Sequence, residues 1–201
     1  HMPIYKELKK ILDSGRLGRV NLITMNFGSF KEYNMKNRFF NRNLAGGAML
    51  DIGVYALSIV RSFLDEQPDE IVSQWKPSPT GSDEQATILL KNAQGQMATV
   101  ALSMHSKQPK RAMISLEKGY IEIMEYPRAD KAVIVDAESG AQTEITAGDT
   151  ADALYYEMQD MEQAVKSGDA SAMQLAYSRD VMEIMTKLRK DWGMKYPGEA
   201  W

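Results

Sequence analysis

Residues 45–57 read AGGAMLDIGVYAL, and no other stretch says as much about the chain. The adjacent glycines Gly46 and Gly47 leave room for a close backbone turn, because glycine has no Cβ atom. An apolar pattern with helical spacing follows at once. On such a helix Asp51 and Tyr55 lie four residues apart and project from the same face. The stretch therefore predicts a carboxylate and a phenol side by side at the start of a helix, beside a glycine turn.

A second stripe on this helix is apolar and is expected to pack inward; it consists of Ile52, Ala56, Ile59 and Phe63. The helix is expected to end near residue 64, before an acidic turn. A carboxylate and a phenol held on its open face suit the handling of a proton on a substrate hydroxyl or carbonyl.

Composition is that of an ordinary globular domain. The chain has 201 residues, of which 44% are hydrophobic and 25% are charged, and its formal net charge is -3. These interspersed charges give no reason to expect a nucleic acid or an anionic membrane as partner. No apolar run approaches the ~18 residues of a membrane helix, and no signal peptide is visible. We expect a cytoplasmic protein.

The chain has no cysteine and only two histidines, His1 and His105. Disulfides, thiolate catalysis and cysteine-bound zinc are therefore excluded. His1 and Met2 are interpreted as a remnant of an expression vector. A single remaining histidine excludes a multi-histidine metal site, and no DxDxDG-type calcium loop is present. We expect no metal site, and we expect His105 to be structural.

Apolar periodicity predicts a helix over residues 3–14, a strand over 20–30, a polar loop over 31–44 and the Asp51 helix. Seven short strands follow, over residues 71–75, 85–90, 97–104, 112–116, 120–124, 132–135 and 142–145. Gly- and Pro-containing turns separate them without intervening helices, which favours antiparallel neighbours. Two closing helices follow, the first with Leu154, Met158, Met161 and Val165 on one face. The predicted fold is α+β: one domain over residues 3–201, with an open, mostly antiparallel mixed sheet and helices on one face.

The other face of such a sheet carries apolar residues and needs a cover. A second copy of the chain is the simplest one, so we expect a homodimer through the open sheet face. A heterologous protein bound to the sheet is the competing hypothesis.

The glycine pair followed by D-x-G-x-Tyr resembles the second-domain signature of the glucose–fructose oxidoreductase / inositol dehydrogenase (Gfo/Idh/MocA) family. The tyrosine form is most similar to its dimeric dihydrodiol dehydrogenase branch. Residues 3–20 resemble the junction where such enzymes pass into the substrate domain, and residues 182–197 resemble their C-terminal helix and tail.

The resemblance implies a partner domain that this sequence does not contain. In the family an N-terminal Rossmann domain holds NAD or NADP and contributes the lysine of a Glu-Lys-Pro motif. Here there is no GxGxxG after a predicted strand and no GxxxxGK[ST] loop. The chain is therefore expected to be the C-terminal substrate-binding and dimerisation domain, with residues 3–19 as the junction. Alone, it is expected to bind no cofactor and to be inactive.

The resemblance also implies roles for five residues. Tyr55 would donate or accept the proton, helped by the lysine of the other domain. Asp51 would hold substrate hydroxyls or orient the tyrosine, and Arg38 would face a polar substrate. Gly46 and Gly47 would allow the cofactor or the substrate to approach the backbone closely.

Each role has a plainer structural alternative. Asp51 would serve as a carboxylate at a helix N-terminus, and Tyr55 as an amphipathic core residue. Arg38 would form a salt bridge within its loop, and Gly46 and Gly47 would only allow the turn.

The expected substrate is carbohydrate-like: a sugar, a polyol or a dihydrodiol. The competing function is a non-catalytic dimerisation or small-ligand-binding module of the same fold. Trp75, Trp192 and Trp201 are candidates for stacking on a sugar ring, and their spacing does not choose among them.

Overall fold

The computed structural model describes residues 1–200. Within them the α-helices are α1 (Pro3–Asp13), α2 (Val54–Phe63), α3 (Ala153–Ser167) and α4 (Leu175–Asp191). The strands are β1 (Val20–Gly28), β2 (Glu70–Pro77), β3 (Asp83–Lys91), β4 (Met97–Ser103), β5 (Gln108–Leu116), β6 (Gly119–Met124), β7 (Lys131–Asp136) and β8 (Gln142–Thr146). A π-helix, Met49–Gly53, runs directly into α2.

All eight strands form one sheet in the order β2-β3-β4-β1-β5-β6-β7-β8. Strands β1 and β4 pair in parallel at its centre, and every other neighbouring pair is antiparallel. The predicted α+β class and the mostly antiparallel mixed sheet are confirmed. The seven strands predicted between residues 71 and 145 are all present, because each alternates in polarity and is bounded by turn residues.

One face of the sheet packs on the helices and forms the core. In β1 the side chains of Ile23 and Met25 are completely buried, and their neighbours in the sequence point to the opposite face. The helices contribute buried apolar residues from one side each, such as Leu8 of α1, Leu57 of α2 and Leu188 of α4. Burying one such side chain contributes about 1.5–3 kcal/mol. Because the helices lie on one face of the sheet, the start of α2 reaches the sheet from that face.

The opposite face of the sheet exposes a row of large apolar side chains. Val72 pairs with Leu89 across β2 and β3, and Met97 pairs with Leu22 across β4 and β1. All four are exposed. This is the open sheet face that the sequence analysis expects to need a cover.

Helix α3 has its predicted apolar face on the outside of the domain. Leu154, Met158, Met161 and Val165 share a face, as predicted, but all four are exposed. The buried residues of α3 are the small ones, Ala153 and Ala164. Within residues 1–200, α3 therefore rests on the domain through alanines and leaves its apolar stripe uncovered.

By length and composition alone, the helical region Arg42–Phe63 is long and apolar enough to cross a membrane. The inspection of apolar runs in the sequence did not predict this. Half of its apolar window is buried inside the domain, and core helices pass the same test. The region is also built from a 3-10 turn, a glycine turn, a π-helix and α2 in succession.

Candidate functional site

The helix that carries Tyr55 begins where the central parallel strands end. Strands β1 and β4 finish together, with Gly28 paired to Ser103. After β1 the chain runs through a loop to the glycine pair and enters the π-helix. The ring of Tyr55, in the first turn of α2, lies 6.3 Å from the ring of Phe27 near the end of β1. The start of α2 is thereby placed over the carboxyl end of β1.

The two glycines are required by packing. Gly47 has a φ of +134°, and a Cβ atom there would lie 1.9 Å from Oδ1 of Asp83. A Cβ atom at Gly46 would lie 2.3 Å from the carbonyl oxygen of Arg38. The turn-geometry interpretation of both residues is thus sufficient to explain them. Their contact with a cofactor stays a prediction.

Asp83 anchors the turn, and the sequence analysis missed it. Its side chain is fully buried at the start of β3 and accepts a hydrogen bond from the backbone N–H of Met49, the first residue of the π-helix. Burial raises the pKa of Asp83 to about 7. In the sequence Asp83 stands beside Glu84 in a polar run that is typical of a solvated turn, so no pattern marks it as buried.

Gly53, the glycine of the D-x-G motif, is also explained by close packing. A Cβ atom there would lie 2.9 Å from Cδ1 of Leu102 in β4 and 3.0 Å from Sδ of Met49. Because glycine has no Cβ atom, the helix can approach the sheet closely at Gly53. The segment forms a π-helix rather than the regular α-helix expected, and such wide turns occur frequently at functional sites.

Asp51 and Arg38 form an ion pair at the mouth of this corner. Nη1 of Arg38 donates to Oδ1 of Asp51 at 2.6 Å, and the guanidinium lies 4.4 Å from the centroid of the Phe39 ring. The Asp51 side chain is only 16% exposed, whereas that of Arg38 is 62% exposed. A pair this open contributes about 0.2–1 kcal/mol to stability. The salt bridge predicted for Arg38 as an alternative was one within its own loop, whereas the observed partner, Asp51, lies in the π-helix. The exposed side of the guanidinium can still reach a ligand.

Tyr55 is 49% exposed, and within residues 1–200 its hydroxyl forms no hydrogen bond. Lys110 places its Nζ 5.5 Å from the centroid of the same Phe27 ring, and it pairs with Glu125 at 2.7 Å. The ring of Tyr55 therefore rests against Phe27, and its hydroxyl has no partner within residues 1–200. The Lys110 cation lies against the same Phe27 ring.

The loop that carries Arg38 is fastened to the sheet by a buried carboxylate. Glu84 accepts hydrogen bonds from the Tyr33 hydroxyl and from Nζ of Lys76, the latter at 2.8 Å. His105 stacks between Phe30 and Tyr33, at ring distances of 5.2 and 4.0 Å. These contacts give His105 the structural role expected of it.

The C-terminal tail closes the back of the glycine turn. The Tyr196 hydroxyl donates to the carbonyl oxygen of Gly46 at 2.8 Å. Trp75 and Trp192 stack on each other with centroids 5.3 Å apart, so each ring covers a face of the other. Trp201 lies outside the described residues. Among residues 1–200, no cluster of three histidine, aspartate or glutamate side chains could hold a metal ion.

Comparisons with known proteins identify the family of the chain and the relatives of its fold. A family model described as the GFO/IDH/MocA C-terminal domain matches residues 5–122. The trans-1,2-dihydrobenzene-1,2-diol dehydrogenase of Xenopus laevis is 27% identical over 97% of this chain, which covers 61% of that protein. The human protein of the same name is 23% identical over 97% of this chain, which covers 60% of it. The chain thus spans about three fifths of the length of these curated relatives.

Solved structures share the fold. A 3-ketoreductase mutant from Actinomadura kijaniata, in complex with TDP-benzene and NADP, superposes with a TM-score of 0.74 at 19% identity. That match covers 94% of this chain and 58% of the ketoreductase. An aldose-aldose oxidoreductase from Caulobacter crescentus, complexed with glycerol, gives a TM-score of 0.67 at 20% identity, covering 90% of this chain and 59% of that one. At these identities the likeness concerns the fold alone.

The glycine turn generates a stability prediction. Gly47→Ala should lower the free energy of unfolding by about 3 kcal/mol or more, because it adds both a strained φ and an overlap with the buried Asp83 carboxylate. Gly95→Ala is the matched control: Gly95 also has a positive φ, +79°, but no atom lies within 4 Å of the added Cβ. It should cost about 1 kcal/mol. Urea denaturation measures both, and equal losses would contradict this account of the turn.

Proposed function

The chain belongs to the GFO/IDH/MocA C-terminal domain family, the C-terminal domain of oxidoreductases, and on that premise we propose its role. We propose that it is the substrate-binding half of an NAD- or NADP-dependent dehydrogenase acting on a sugar, a polyol or a dihydrodiol. The observation that carries the proposal is the exposed Tyr55, whose hydroxyl has no partner within residues 1–200, four residues after the Asp51 that pairs with Arg38. The names of the relatives, dihydrodiol dehydrogenase and ketoreductase, support the reaction class.

The residues of this chain do not fit a dinucleotide. Strand β1 ends in a long loop and β4 in a short turn into β5, so neither ends in a glycine-rich turn that opens directly into a helix, and Gly46 and Gly47 are packed against protein atoms. The nicotinamide would therefore be held by a preceding domain. When bound there, it would supply the exchange of a hydride with the substrate carbon.

Tyr55 handles the proton in this proposal. As an alcohol is oxidised its hydroxyl proton must leave, and as a carbonyl is reduced the new alkoxide must receive one. A phenol that has no partner in its own domain is free to make that hydrogen bond. The ring contact with Phe27 fixes its direction, so that little ordering remains to be done when the substrate binds.

Asp51 and Arg38 orient the substrate. Arg38 occupies one oxygen of the carboxylate and leaves the other able to accept a hydrogen bond from a substrate hydroxyl. The exposed guanidinium supplies donors for a carbonyl or a second hydroxyl. A polyhydroxylated substrate meets an acceptor and a donor held at a fixed spacing, which supports the choice of a carbohydrate-like compound.

Tyr55→Phe tests this assignment, because it removes only the hydroxyl. In the intact protein, supplied with nicotinamide cofactor and a panel of polyols and dihydrodiols, we expect kcat to fall by about 10²–10⁴-fold with little change in KM. Tyr155→Phe is the control, since Tyr155 is a tyrosine exposed on α3, away from Phe27. Unchanged turnover in Tyr55→Phe would remove Tyr55 from the mechanism. An intact protein that turns over nothing in the panel would favour the non-catalytic module.

We also propose that two copies associate through the open sheet face. Leu22, Val72, Leu89 and Met97 form a contiguous apolar patch on it, and patches of this kind mark interaction sites in water. A twofold dimer would place this patch against the same patch of a second copy, so that the apolar side chains cover one another.

The dimer is tested by placing charges on the patch. Leu22→Lys combined with Leu89→Lys should give a monomer in analytical ultracentrifugation, because two copies would then bring like charges together. Leu175→Lys, which changes an exposed leucine at the start of α4, should leave the dimer intact. A parent protein that is already monomeric at micromolar concentration, or a double variant that remains dimeric, would contradict the proposal.

A further inference from the structure

Helix α3 carries an apolar surface that nothing else in residues 1–200 covers. Leu154, Met158, Met161 and Val165 are spaced i, i+4, i+7 and i+11, so they form one continuous line along the helix. They are between 50% and 76% exposed. We call these four residues the α3 stripe.

The stripe is shaped for another helix. Four large side chains in a line on a helix of 15 residues form the ridge that packs into the groove of a neighbouring helix. Charged residues stand on its two flanks, Glu157 on one and the Glu162–Lys166 ion pair on the other. The surface is therefore apolar along its centre and charged at its edges, and a partner helix with an apolar face would complement it.

The start of the chain lies next to this helix. Nζ of Lys6, in α1, is 2.7 Å from Oδ1 of Asp160 in α3. Asp160 lies on the side of α3 that faces the domain, as the buried Ala164 does. A domain joined ahead of α1 would therefore emerge close to α3.

We propose that the α3 stripe docks the domain that precedes this one in the intact polypeptide. The matching family model describes a C-terminal domain, and the chain covers only 61% of the length of its relatives, so the relatives contain a further segment large enough to form a domain. A second copy of the chain is instead proposed to bind the open sheet face, which leaves the α3 stripe for the preceding domain. The proposal requires a preceding domain, as the proposed function does, but it does not require that domain to be catalytic.

Methionine oxidation reports on the stripe directly, because Met158 and Met161 belong to it. Dilute hydrogen peroxide followed by mass spectrometry should oxidise both quickly in the 201-residue chain. In the intact protein both should react several-fold more slowly, whereas Met182, which is 53% exposed on α4, should react at the same rate in the two proteins. The protection should be independent of protein concentration.

Charged variants make the test specific. Met158→Lys combined with Val165→Lys leaves Met161 as the probe and should restore its rapid oxidation in the intact protein. Gln159→Lys combined with Gln163→Lys adds the same charge to exposed positions outside the stripe and should not. In the 201-residue chain alone, neither pair should change the melting temperature, because the altered side chains pack on nothing there.

Equal reactivity of Met158 and Met161 in the intact protein and in the 201-residue chain would overturn the proposal. Protection that disappears on dilution would overturn it too, because it would assign the stripe to a second copy. A parent gene without a domain ahead of residue 3 would overturn it as well. Because the readout uses neither substrate nor cofactor, its failure leaves the Tyr55 test unaffected.

Discussion

The buried carboxylate of Asp83 is the contact on which the site depends. It accepts a hydrogen bond from the buried backbone N–H of Met49 and thereby holds the first turn of the π-helix against the start of β3. A buried polar group needs such a partner, and removing the partner costs about 1–3 kcal/mol. Only glycine fits at position 47 against this carboxylate. The pair therefore fixes both the position and the direction in which the helix leaves the turn, and with them the places of Asp51 and Tyr55.

Two further contacts hold the same corner from outside. The Tyr196 hydroxyl binds the carbonyl oxygen of Gly46, and Tyr33 binds Glu84, the residue next to Asp83. The C-terminal tail thus binds the glycine turn directly, and the Arg38 loop binds the residue next to Asp83. The side chains of Tyr55 and Arg38 remain exposed to solvent. This is the arrangement expected of one wall of a site whose other wall is supplied by a second domain.

The sequence predicts the elements better than their contacts. Strand β3, for example, alternates between buried and exposed residues and lies between two glycine-containing turns, so local patterns identify it. The resemblance carried by residues 45–57 also leads to the right family. The π-helix and the burial of Asp83 depend on how β3 meets the turn, a contact between residues 34 positions apart that no local pattern records. The exposed face of α3 is a case of the same kind, because its periodicity identifies an apolar face but not what the face packs against.

The central claim is that this domain holds the substrate side of the reaction and leaves the nicotinamide to another part of the protein. Calorimetric titration of the 201-residue chain with NADH and with NADPH tests it most directly, with the intact protein as the positive control. The account predicts no binding by the chain at sub-millimolar cofactor and clear binding by the intact protein. Micromolar binding of either cofactor to the chain alone would contradict it.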